Sequence, residues 1–111
     1  MAGQSLDTLE FANELSEECI VKVLMFYEVA ADGLNKAQEN FVAHRSRLDE
    51  FHARGVLLMA GPYGVPPVGA LGVFTSREAA EEFIKGDPFV LNGVVGRYSL
   101  HDWNEVLAPV S

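Results

Sequence analysis

The sequence predicts an α+β fold in which four strands form one sheet and two helices pack on it, and three observations carry that reading. Apolar residues recur at helical spacing over residues 35–54. Val, Ile, Phe and Tyr concentrate in short runs that read as strands. Turn and cap residues separate the runs so that their order is strand, helix, strand, strand, helix, strand, the split βαβ arrangement of the ferredoxin-like plait.

Taken in order, residues 1–18 read as an N-terminal extension, either disordered or a short acidic helix through Leu6, Leu9 and Leu15. A domain over 19–107 follows, with 108–111 as a tail. Residues 19–29 are the first strand, ended by Asp32 and Gly33. The long helix carries Ala37, Phe41, His44, Leu48 and Phe51 at alternating steps of four and three, and Gly55 is its expected C-terminal cap. Residues 56–60 form the second strand, with Gly61-Pro62 as a strand-ending bend, and residues 68–74 form the third. Thr75 and Glu78 make a capping-box pattern for the second helix, which closes at Lys85 and Gly86. A turn at Asn92-Gly93 leads into the last strand, 94–103.

Two helices cover one face of a four-stranded sheet. The first strand is nonetheless apolar on both faces, with Val23, Met25 and Tyr27 on one and Leu24 and Phe26 on the other. A second copy of the sheet is the economical cover, so a homodimer with sheets packed face to face, a dimeric α/β barrel, is expected.

A chain of 111 residues makes one domain. Hydrophobic residues at 49% and charged residues at 22% place it among globular proteins. Sixteen acidic against eight basic residues give a net charge of -8, which argues against nucleic-acid and membrane-surface partners. Cys19 is the only cysteine, so no internal disulfide or cysteine-rich zinc site forms. A signal-like leader and a membrane-length apolar run are both missing from the sequence, and a cytoplasmic location is expected.

The chemistry centres on His44, an ionisable ring set in the inward stripe of the long helix. Such a group is costly to bury without a partner, and the candidate partner is Asp87. Asp87 leaves the second helix just before Pro88, which pushes it out of helical geometry. Both helices lie on one sheet face, so Asp87 can reach the inward face of the first. An aspartate bound to one ring nitrogen would fix the tautomer and leave the other nitrogen to move a proton. Without a serine or cysteine nucleophile placed beside the pair, proton abstraction or elimination is expected rather than acyl transfer. Gly61, Pro62 and the neighbouring aromatics Tyr63 and Phe89 are expected to line the substrate pocket.

The plainer readings are that His44 and Asp87 form a structural pair, that Tyr63, Phe89, Tyr98 and Trp103 only pack, and that Arg45 and Arg47 are a solvated helix face. His44 and His52 stand eight residues apart, a rise of about 12 Å, too far to share one metal ion. Neither a metal nor an organic cofactor is expected, because ligand spacings and nucleotide-binding glycine motifs are missing.

From about residue 20 to 107 the sequence resembles the YCII-related (YciI-like) family of small dimeric α/β-plait proteins. The matching residues are His44-Arg45 with Leu48, the run Gly55-Val56-Leu57-Leu58-Met59-Ala60-Gly61-Pro62, Glu78-Ala79-Ala80, and Gly86-Asp87-Pro88-Phe89. The resemblance implies a histidine–aspartate dyad at His44 and Asp87. It also implies an activity of the kind associated with the family, loss of hydrogen halide from a chlorinated hydroxyaromatic compound. Two functions follow as expectations: a cofactor-independent lyase or isomerase-like enzyme acting on a small molecule, or a non-catalytic dimer that binds a small ligand or another protein. Related plait dimers acting as monooxygenases or haem-associated enzymes are a third class, by fold analogy alone.

Overall fold

A computed structural model describes residues 21–109. The expected extension over 1–18, Cys19 and the last two residues lie outside the described residues. The elements are β1 (Lys22–Val29), α1 (Gly33–Ala53), β2 (Leu57–Tyr63), β3 (Gly69–Phe74), α2 (Arg77–Gly86), α3 (Pro88–Leu91) and β4 (Val95–Trp103). The four strands form one antiparallel sheet in the order β2-β3-β1-β4. This is the ferredoxin-like α+β plait that the pattern of the sequence predicts.

Alternation along β1 divides the sheet into two environments. Val23, Met25 and Tyr27 point to the helices and are buried, joined there by Leu57 and Phe74. Phe51 of α1 and Phe83 of α2 meet edge to face at 5.2 Å between ring centroids and close the core between the layers. The opposite face carries Leu24 and Phe26, which pair across β3 with Val73 and Leu71. No described helix covers that face, and Met59 on it is 65% exposed.

Local chemistry sets the ends of the helices. Gly55 takes φ 79° after α1 and returns its N–H to the His52 carbonyl, the left-handed cap that the sequence indicates. The start of α2 differs from the expected capping box by one residue. Thr75 stays with the sheet, donating its N–H to Val56 O, and Ser76 is the N-cap, its hydroxyl accepting from Ala79 N at 3.1 Å.

Three further expectations change. β2 runs on through Gly61 and Pro62 to Tyr63 instead of bending at Gly61, because an edge strand has a side on which a missing N–H costs nothing. The segment after Asp87 is a short helical turn, α3, with Pro88 at its first position. Arg47 is not a solvated side chain. Its guanidinium donates to Phe83 O at 3.0 Å and Glu82 O at 2.7 Å, and lies 4.8 Å from the centroid of the Phe51 ring. It thereby ties α1 to the C-terminal end of α2, where carbonyls run short of intrahelical donors. Arg45 does lie in solvent, in an i,i+4 pair with Asp49.

The Arg47 clamp needs Gly86. A Cβ at that position would stand 2.7 Å from the guanidinium carbon. Gly86→Ala is expected to displace Arg47 and cost about 1–3 kcal/mol in urea unfolding, the range for losing hydrogen bonds from a charged donor. Gly61→Ala, where an added Cβ meets nothing within 4 Å, should change stability by less than about 0.5 kcal/mol.

Candidate active site at the Asp87 carboxylate

Asp87 is fully buried, at 0% exposure, at the junction of α2 and α3. Its extended backbone, set by the following proline, turns the side chain back under α1. There the carboxylate accepts from three elements. The Tyr27 hydroxyl of β1 donates to Oδ2 at 2.6 Å, His44 Nδ1 of α1 lies 2.6 Å from Oδ1, and the Phe89 backbone N–H donates to Oδ1 at 3.1 Å. Among the described residues no buried side-chain polar atom lacks a partner, so the network is complete. Burying a carboxylate is tolerable only under such a set of donors.

The same contacts define His44. A carboxylate oxygen accepts, so Nδ1 is the nitrogen that carries a proton towards Asp87, and Nε2 is the ring nitrogen not engaged by it. The ring is held flat against Phe89, with centroids 3.7 Å apart and planes 4° from parallel, and Phe83 meets it edge-on at 6.3 Å. Its side chain keeps 12% exposure, and it opens on a cavity of about 550 Å³ between α1 and the β2 side of the sheet.

Helix phase explains why His44 reaches both environments. With about 100° of turn per residue, Phe51 lies about 20° to one side of His44, while Leu48, Phe41 and His52 lie about 40°, 60° and 80° to the other. The first direction points into the core. The second forms the cavity wall, which is why Phe41, expected in the buried stripe, is 52% exposed.

Of the pocket residues expected from sequence, Gly61, Pro62 and Phe89 line the cavity with His44. Tyr63 does not. It pairs with Gly69 on the opposite face of the sheet, one alternation step from Pro62, and its ring lies over the Gly69 backbone. Two residues escape a sequence reading. Tyr27 reads as one more apolar strand position, although a buried phenol signals an unseen acceptor. His52 also lines the cavity and places Nδ1 2.8 Å from Leu57 O. Among the described residues no group of three or more His, Cys, Asp or Glu side chains gathers in a metal-binding arrangement. No described helix is long and apolar enough to cross a membrane.

The comparisons with known proteins agree with this fold. Residues 21–104 match the family model of the YCII-related domain, and the chain belongs to that family. It is 33% identical over 96 residues to Protein YciI of Escherichia coli and to its counterpart in Shigella flexneri, covering 75% of this chain and 96% of either relative. The fold is also shared with 5-chloro-2-hydroxyhydroquinone dehydrochlorinase (TftG) of Burkholderia phenoliruptrix, solved in complex with 2,5-dihydroxybenzoquinone. That likeness has a TM-score of 0.63 at 18% identity, over 75% of this chain and 93% of TftG.

Burial first, and then the charge and hydrogen bond of Asp87, push the Tyr27 hydroxyl far above the usual range for a phenol. A phenol raised in the fold keeps its proton while the unfolded chain loses it above pH about 10, so its stabilisation is complete below that pH and is lost as pH rises past it. In an alkaline titration followed at 295 nm, one phenol is expected to ionise only on unfolding. Tyr27→Phe removes that step, and it should cost about 1–3 kcal/mol at neutral pH by stripping a donor from buried Asp87.

Proposed function

We propose that this protein is a cofactor-independent cytoplasmic enzyme that moves a proton on a small molecule, using His44 as the acid or base and Asp87 to orient it. The observation carrying this reading is that Nδ1 of His44 is tied to a fully buried carboxylate while the same ring opens on an apolar cavity. In such a site Nε2 takes the proton, and Asp87 stabilises the imidazolium that results. Tyr27 and the Phe89 N–H hold the carboxylate in place, and the Phe89 ring keeps the imidazole from turning away.

The family and the TftG likeness favour an elimination within this class. A halogenated polyhydroxyaromatic in the cavity first shifts one hydroxyl proton to the halogen-bearing ring carbon, giving a keto tautomer; His44 then takes a second hydroxyl proton, the freed O–H pair becomes a C=O bond, a ring pair moves to form the new C=C bond, and the carbon–halogen pair leaves as halide. Gly61 and Pro62 offer a flat wall to a planar ring, and Phe89 closes the other side of His44.

The test is chloride release from 5-chloro-2-hydroxyhydroquinone. His44→Asn, which can still donate to Asp87, should keep its fold and lose about 10²–10⁴-fold in rate. Asp87→Asn should lose a comparable factor, because the ring is freed to adopt the wrong tautomer. Equal rates for wild type and His44→Asn, or 2,5-dihydroxybenzoquinone leaving the His44 ring resonances unmoved, would overturn the proposal.

The helix-free sheet face supports a homodimer, with Leu24, Phe26 and Leu71 packed against their copies. Phe26→Glu places a charge at the centre of that face and is expected to give a monomer in sedimentation. A wild-type protein that is monomeric at micromolar concentration would sink the dimer.

A further inference from the structure

The cavity has a second polar end. His52 lies on the same helix as His44, about 12 Å further along the axis and within the flank that faces the cavity. Its Nδ1 donates to Leu57 O, the carbonyl at the point where the register of β2 on β3 shifts and regular pairing is lost. That bond fixes the His52 tautomer just as Asp87 fixes that of His44. In both rings Nε2 is the nitrogen left for an occupant, and among the described residues neither makes another hydrogen bond.

On the helix Leu48 stands between the two histidines, and Met25, Leu57 and Ala60 add hydrocarbon to the same cavity wall. Tyr27 offers nothing there, because its hydroxyl is committed to Asp87. Arg45 and Asp49, the charged side chains at the rim, neutralise each other. An apolar trough with one tautomer-fixed imidazole at each end fits a ligand with an apolar middle and an oxygen at each end better than it fits a single small ring. The volume of about 550 Å³ also exceeds what one substituted ring fills.

Resting on the reading of His44 as the reacting end, we infer that His52 is a substrate-positioning residue. It binds a second oxygen function, a hydroxyl or a carboxylate, carried on an arm extending from the ring that reacts at His44. Its Nε2 accepts from a hydroxyl when neutral and donates to a carboxylate when protonated. The substrate class is therefore a hydroxyaromatic whose ring reacts at His44 and whose side chain carries an oxygen function towards His52.

A length series tests this with phenol, 4-hydroxycinnamyl alcohol and 4-hydroxycinnamate, their binding followed through the ring resonances of both histidines. Phenol should perturb His44 alone. The two longer probes should also perturb His52 and bind about 10-fold more tightly, and whichever gains more identifies the oxygen function that His52 reads. His52→Ala should abolish that gain, so that the longer probes bind this variant no more tightly than phenol does. His52→Gln, whose amide can still donate to Leu57 O, separates loss of the anchor from disturbance of β2 and should lose the gain as well. The inference is overturned if the longer probes bind no better than phenol, or if their advantage survives in both variants. If phenol leaves His44 unmoved, the reading of His44 fails first and takes this one with it.

Discussion

A carboxylate with no access to water joins the helices to the sheet at the junction of α2 and α3. Asp87 sits where the two layers meet, and each of its hydrogen bonds comes from a different element: the sheet through Tyr27, the long helix through His44, and the following turn through the Phe89 N–H. A buried carboxylate is tolerated only while its donors stay in place, so the network ties α1 to the sheet alongside the aromatic core. Burial and tautomer choice rest on the same atoms here. The bond that satisfies Asp87 is also the bond that selects the His44 tautomer.

The long helix does two jobs on adjoining flanks. One flank, through Phe51 and the Arg47 clamp, seals the core and grips the end of α2. The other, through Phe41, Leu48 and His52, roofs an open space over β2. His44 stands at the boundary, which is where a proton-transfer group must be if it is to have a buried partner behind it and a reachable substrate in front. Phe89 reinforces that placement by stacking on the ring, and it comes from a four-residue turn whose N-cap is Asp87 itself. The carboxylate thus orders the turn that in turn orders the imidazole.

The same fold at 18% identity in TftG shows how loosely the plait constrains its sequence away from such points. The layers need apolar residues of suitable volume on alternate strand positions and on one helix stripe, and many sequences meet that demand. The groups around Asp87 meet a stricter demand in this chain, because each donor lost weakens the compensation of a buried carboxylate.

The sequence by itself determined the element order, the plait, the inward stripe that contains His44, and Asp87 as the partner that a buried imidazole requires. Those features follow from periodicity and from local backbone chemistry, which act over a few residues. Only the tertiary structure decided the rest. It put Tyr27 against Asp87 across 60 residues of chain, turned Phe41 out over a cavity, moved Arg47 from solvent onto the end of α2, and set Tyr63 on the far face of the sheet. Periodicity shows which face of an element is apolar. Whether that face meets packed hydrocarbon, a carbonyl or open space depends on what distant segments bring to it, and spacing within one segment holds no record of that.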